Sequence, residues 1–183
     1  MLLFPRAHHK RPTNMSKHTS NAPPVKPADK LPPFDELSEA GCLACVLSAE
    51  PDQAGPLLAK LNTDCFYDLR HRAIFQLLAK LGRDGRALDI VSLTQAARDL
   101  GTVESLGGLD YAMALPDRTP SVANFPTFLE AVQDKATRRA AMRDAGELSR
   151  LAEDPTVPPA AVAEAARRMG EAHSRTLASA YLQ

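Results

Sequence analysis

The sequence predicts an all-α protein built as a compact helical head followed by a long αα-hairpin. Three observations carry this. Ala, Leu, Arg, Asp and Glu are abundant while β-branched residues are sparse, a composition that favours helix over strand. Apolar residues recur at three- and four-residue steps through most of the chain after residue 35. Finally, the last sixty residues form two long stretches without a helix stop, separated only by "PTVPP".

The first element is not part of that fold. Residues 1–30 hold five prolines and no apolar period, the composition of a disordered, basic, Pro-rich arm. Arg6, Lys10, Arg11, Lys17, Lys26 and Lys30 stand there against Asp29 alone. They suit a weak, salt-sensitive contact with DNA. His8, His9 and His18 have no acidic or Cys partner, so no metal site is expected among them. Met15 opens "MSKHTSN" and offers a second possible start of translation. The chain holds 22 Lys/Arg and 22 Asp/Glu, which leaves residues 31–183 with 16 bases against 21 acids. That acidic body should repel phosphate backbones.

The head is assigned to residues 31–116. "LPPFDELSEAGCLACVLSAEPD" predicts a helix from about Asp35 to Ala49, with Leu37, Ala40, Ala44 and Leu47 on one face. "PLLAKLNTDCFYD" reads as a second short helix and its exit. "LRHRAIFQLLAKLGRDG" is a third helix burying Ile74, Phe75, Leu78 and Leu81, with Gly82 past its end. "LDIVSLTQAARDLG" is a fourth, capped by Asp89 or by Ser92 in a box with Gln95, and stopped by Gly101. A short fifth helix lies between Gly107-Gly108 and Pro116.

Residues 117–183 are assigned to a hairpin for self-association. Its first helix starts at Asn124, a candidate cap, with Pro126 harmless in the first turn. Small residues at Ala136, Ala140, Ala141, Ala145, Ala161 and Ala165 are read as the inner positions. Phe128, Leu129, Val132, Met142, Leu148, Leu151, Val162 and Met169 give more apolar surface than one narrow seam needs. A second subunit is therefore expected to cover part of it.

Chemical candidates are few. Cys42 and Cys45 form a CxxC in the middle of a helix among Leu43, Val46 and Leu47, which suits core cysteines rather than a redox or zinc site. Cys65 and His71 form a possible nucleophile and base, but no orienting partner is recognisable. The plainer expectation is structural: Phe66 and Tyr67 pack inward, and Asp64 or Asp68 caps the helix carrying His71 and Arg72. There is no GxxxxGK[ST] run, so no P-loop and no cofactor is expected. Arg138, Arg139 and Arg143, near Asp134, Asp144 and Glu147, read as a solvated, salt-bridged face. No run approaches the ~20 apolar residues of a membrane span, and three cysteines do not make a disulfide framework, so a cytoplasmic location is expected.

In order, these segments resemble the N-terminal domain of DnaB-type replicative DNA helicases. "LPPFDELSEAGCLACVL" keeps the family's Pro-Pro and Glu, at Pro32, Pro33 and Glu39, but has Cys42-Leu43-Ala44 at its Val-Leu-Gly step. "CFYDLRHRAIF" matches Asp-Phe-Tyr, then His-Arg, then Ile-Phe, through Phe66, Tyr67, His71, Arg72, Ile74 and Phe75, with Cys65 in the acid's place. "LDIVSL", "GGLDYAMAL" and "TPSVAN" match three further elements in register. The resemblance implies a replisome interaction module whose hairpin pairs between subunits, as in the collar of a hexameric helicase ring. It also implies contacts with helicase, primase or a helicase loader, in a bacterial or phage-like replisome associated with the nucleoid. The ATPase motor of that family is RecA-like and has no counterpart here, so this polypeptide is not expected to hydrolyse ATP or unwind DNA by itself. Two other readings stand beside it. One is a primase- or loader-side adaptor that docks on the helicase; the other is an enzyme using Cys65 and His71.

Overall fold

The computed structural model describes residues 31–119 and 121–181, with side chains up to Arg175 except at 120. The basic arm, with its lysines, arginines and histidines, lies outside the described residues. Seven α-helices and no strands occur among the described residues.

Helix α1 (Glu36–Ser48) starts where Asp35 accepts hydrogen bonds from the backbone N–H and hydroxyl of Ser38, at 3.1 and 3.0 Å. Every residue from Ser38 to Leu47 is buried. A helix enclosed on all sides runs through the centre of a fold rather than along its edge. Leu37, expected on the buried face, is instead 74% exposed. An all-round apolar helix has no single buried stripe, so its three- and four-residue steps are misleading.

Helix α2 (Pro51–Ala59) starts five residues before the stretch assigned to it from sequence. Pro51 fits the first helical position, where a missing N–H costs nothing. Pro56, read as a beginning, lies inside the helix. A short 3-10 turn, Thr63–Cys65, is closed by Asn62 Oδ1, which accepts from the N–H groups of Asp64 and Cys65 at 2.9 and 3.2 Å.

Helix α3 (Leu69–Arg83) is capped by Asp68, which accepts from Arg70 N–H at 2.8 Å. Gly82 lies within α3 rather than past it; the stop is Gly85, at φ 67°. Arg86 N–H returns to Leu81 O and Gly85 N–H to Gly82 O, a Schellman closure. Helix α4 (Ile90–Asp99) is capped by Asp89 alone of its two candidates and stops at Gly101 in the same closure. Helix α5 (Leu109–Met113) follows Gly107 and Gly108 as expected.

Helix α6 (Phe125–Glu153) and helix α7 (Pro159–Tyr181) form the hairpin. Asn124 holds the cap position, but its side chain makes no capping bond. The first half of α6 packs on α1, with Phe125 and Val132 buried and Phe128 and Leu129 packed against the core. Beyond it α7 packs on α6. The side chains withdrawn from solvent there are Ala140, Asp144, Leu148 and Leu151, opposite Val162, Ala165, Met169 and His173. Ala136 is half-buried, but Ala141, Ala145 and Ala161, expected at inner positions, are exposed. On α6 the seam follows the steps 140, 144, 148 and 151. Residues 141 and 145 lie one residue, about 100°, around the helix from it.

Candidate functional site

A buried polar cluster joins α1, α3 and α5 beneath the loop that leads into α3. Glu39 is 1% exposed and His71 is fully enclosed. The Glu39 carboxylate accepts the N–H groups of Tyr67 and Asp68 at 2.8 and 3.1 Å and faces His71 Nδ1 at 2.9 Å. A carboxylate already held by two N–H donors can only accept, which assigns the imidazole proton to Nδ1. Nε2 meets the Tyr111 hydroxyl at 2.6 Å. Burial pushes the Tyr111 phenol above its ordinary range.

Two arginines frame this cluster. Arg70 chelates Asp68, reaches Glu36 at 3.2 Å and lies 4.3 Å over the Tyr111 ring. The Arg70 bonds hold the Asp68 carboxyl below the usual carboxylate range. Arg139 comes from the hairpin and is 6% exposed. Its Nη1 donates to Pro33 O at 2.7 Å and its Nη2 to Asp64 O at 2.5 Å. This corrects the solvated stripe expected of Arg138, Arg139 and Arg143. Arg138 is exposed and paired with Asp134, and Arg143 is exposed, but Arg139 is a buried tie between hairpin and head.

The remaining sequence candidates fall around this centre. Phe66 is in the core, tilted against Phe75 at 5.3 Å, and Ile74 is fully buried. Tyr67 is half-buried and stacked on Phe34 at 5.0 Å. Arg72 donates to Phe66 O at 2.9 Å. Cys42, Cys45 and Cys65 are free and buried, and burial raises all three thiols. Cys65 Sγ contacts Asn62 Oδ1 at 3.6 Å, while both His71 nitrogens are engaged by Glu39 and Tyr111. Cys65 and His71 therefore bond to different partners and are not hydrogen-bonded to each other as a nucleophile and base would be. The Tyr-His-Glu chain links α5, α3 and α1, with His71 and Glu39 shut away from solvent.

Sequence reasoning missed Glu39, Tyr111 and Arg139 as partners, since they lie 32, 40 and 75 residues from the groups they hold. For Glu39 the sequence carried two signals, its match to the family's Glu and its position just ahead of the apolar run from Ala40 to Leu47.

The sequence matches the family model described as DnaB-like helicase N terminal domain over residues 31–134. It is 31% identical over 139 residues to the replicative DNA helicase DnaB of Treponema pallidum, covering 76% of this chain and 32% of that protein. To the Pasteurella multocida DnaB it is 32% identical over 118 residues, covering 63% of this chain and 25% of that protein. The chain thus spans between a quarter and a third of the length of these curated relatives. The crystal structure of the N-terminal domain of DnaB helicase from Mycobacterium tuberculosis shares the fold. Its TM-score is 0.69 at 22% identity, covering 78% of this chain and 99% of that one.

Proposed function

The chain belongs to the DnaB-like helicase N-terminal domain family, and from that premise we propose that it is a protein-interaction module of DNA replication. In this reading it self-associates through the outward faces of α6 and α7 and contacts a helicase ring, a primase or a loader in the cytoplasm. The observation that supports this is the outer half of the hairpin. There the inward side chains are already spent on the α6–α7 seam, while Ala141, Ala145 and Met142, 49% exposed, face out from α6. Two helices with a seam this narrow gain little stability alone and more from a partner.

ATP hydrolysis is assigned to other parts of a helicase, since these 183 residues contain no GxxxxGK[ST]. The arm, residues 1–30, is assigned an auxiliary salt-sensitive contact with DNA.

Light scattering on purified protein tests the reading. A dimer or larger assembly is expected, reduced by Met142→Arg. A strict monomer at high concentration that binds neither helicase nor primase overturns it. Pull-down that recovers helicase but shows no self-association would instead support the adaptor reading.

A further inference from the structure

Helix α3 presents an outward ridge, Gln76, Lys80 and Arg83, at the i, i+4 and i+7 spacing. A hollow lies on each side of it. One, of about 170 Å³, is floored by Leu77, Leu81, Ala96 and Leu100 and rimmed by Asp84 and Arg86. The other, of about 320 Å³, is mixed: Leu61, Phe75 and Ala79 share its lining with Asn62, Thr63 and Gln76, and Arg83 stands at its edge. The first volume is below the ~300 Å³ floor of small-molecule sites and the second only just above it, and both hollows open to solvent. A ridge between two grooves is one half of a helix-on-helix contact.

Charge selects the partner. Lys80 is paired with Asp84 at 2.9 Å, and Asp99 is held by Gln95 at 2.7 Å. Arg83 and Arg86 have no carboxylate within ion-pair distance among the described residues, though both act on Asp84 from farther away. The ridge therefore carries a local positive excess on a body that is otherwise net acidic. The leucines in the lining of both hollows, with Phe75 in one, favour a protein side chain over nucleic acid as the occupant, because phosphates have no use for them.

We propose that this face of α3 docks an acidic amphipathic helix of a partner protein, whose apolar side chains enter the two hollows while its carboxylates meet Arg83 and Arg86. The site is on the head and is independent of the hairpin. It adds a second binding surface that needs no self-association.

Two-dimensional NMR on the full labelled chain tests this with three probes: a Leu/Glu amphipathic helical peptide, its Leu/Lys counterpart, and a single-stranded oligonucleotide. The Leu/Glu peptide is expected to shift amides in residues 75–86 and 96–100 selectively. Charge reversal at two exposed positions, Arg83→Glu with Arg86→Glu, should weaken it about tenfold without unfolding the head. Leu100→Asp should weaken it through the socket instead. Equal binding of the Leu/Lys peptide, displacement by the oligonucleotide, shifts elsewhere, or no binding of the Leu/Glu peptide overturns the proposal.

Discussion

The guanidinium of Arg139, on α6, donates to the main-chain carbonyl of Asp64 at 2.5 Å and so ties the hairpin to the loop ahead of α3. Its second donor holds Pro33 O, at the start of the head. Burial pushes the guanidinium below its ordinary range, a cost that the two charge-assisted bonds offset.

Arg139→Lys should therefore be nearly as damaging as Arg139→Met. A lysine has no planar fork to serve two carbonyls at once. A loss of about 2–3 kcal/mol is expected in urea unfolding for either variant. An Arg139→Lys protein as stable as wild type would show that charge alone suffices.

The His71 cluster gives a second expectation. Tyr111→Phe removes one hydrogen bond and should cost ~1 kcal/mol, whereas His71→Leu also leaves the Glu39 charge underpaired and should cost more, ~3 kcal/mol. Because the residues act as one chain, the double variant should cost less than the sum. Strict additivity in the cycle would mean that the two bonds act independently.

Close approach of α1 and α6 gives a third. A Cβ built on Gly41 would lie 2.7 Å from carbons of the Phe128 ring. Gly41→Ala, normally favourable in a helix, should here cost ~1–3 kcal/mol through overpacking. Phe128→Leu should recover part of that loss when combined with it. A Gly41→Ala variant with an unchanged or raised Tm contradicts this.

Asp68 sets an acid limb. Its folded-state pKa lies below the ordinary carboxylate value, first because of the Arg70 bonds, so its contribution is complete above that ordinary value. The contribution disappears as the pH falls through the lowered one. As an N-cap it should contribute ~1 kcal/mol. Asp68→Asn should be less stable at neutral pH by less than that and should show a flatter loss between about pH 5 and 2 in urea midpoints. Identical acid limbs would place the titration elsewhere.

Much of this architecture was legible because its signals are local. Asp89, Gly101 and the "PTVPP" turn mark ends that depend on neighbouring backbone alone. Asp68 was one of two candidates for the α3 cap, and its spacing to Arg70 decides between them. The α2 start was missed because Pro56, a common first-turn residue, can also lie deeper in a short helix. The seam of the hairpin was half misread. Alanine is small enough to be tolerated at either inner or outer positions, so Ala141, Ala145 and Ala161 gave no phase information. Arg139 was misassigned for a different reason. Its neighbours at three and four residues really are charged and exposed, and only a fold that brings Asp64 and Pro33 to it reveals its role. Cys65 has a place in the fold: it is buried, against Asn62 and within the field of Arg139.

The enclosure of α1 has a consequence for how the chain is made. Ser38 to Leu47, all buried in the finished fold, leave the ribosome well before α6. Their cover on α6 is synthesised roughly eighty residues later, a delay of about 4–16 s at ordinary elongation rates. Helices α2 and α3 follow sooner, but for that interval the side of this largely apolar segment that α6 covers stays open, and chaperone capture during translation should concentrate there.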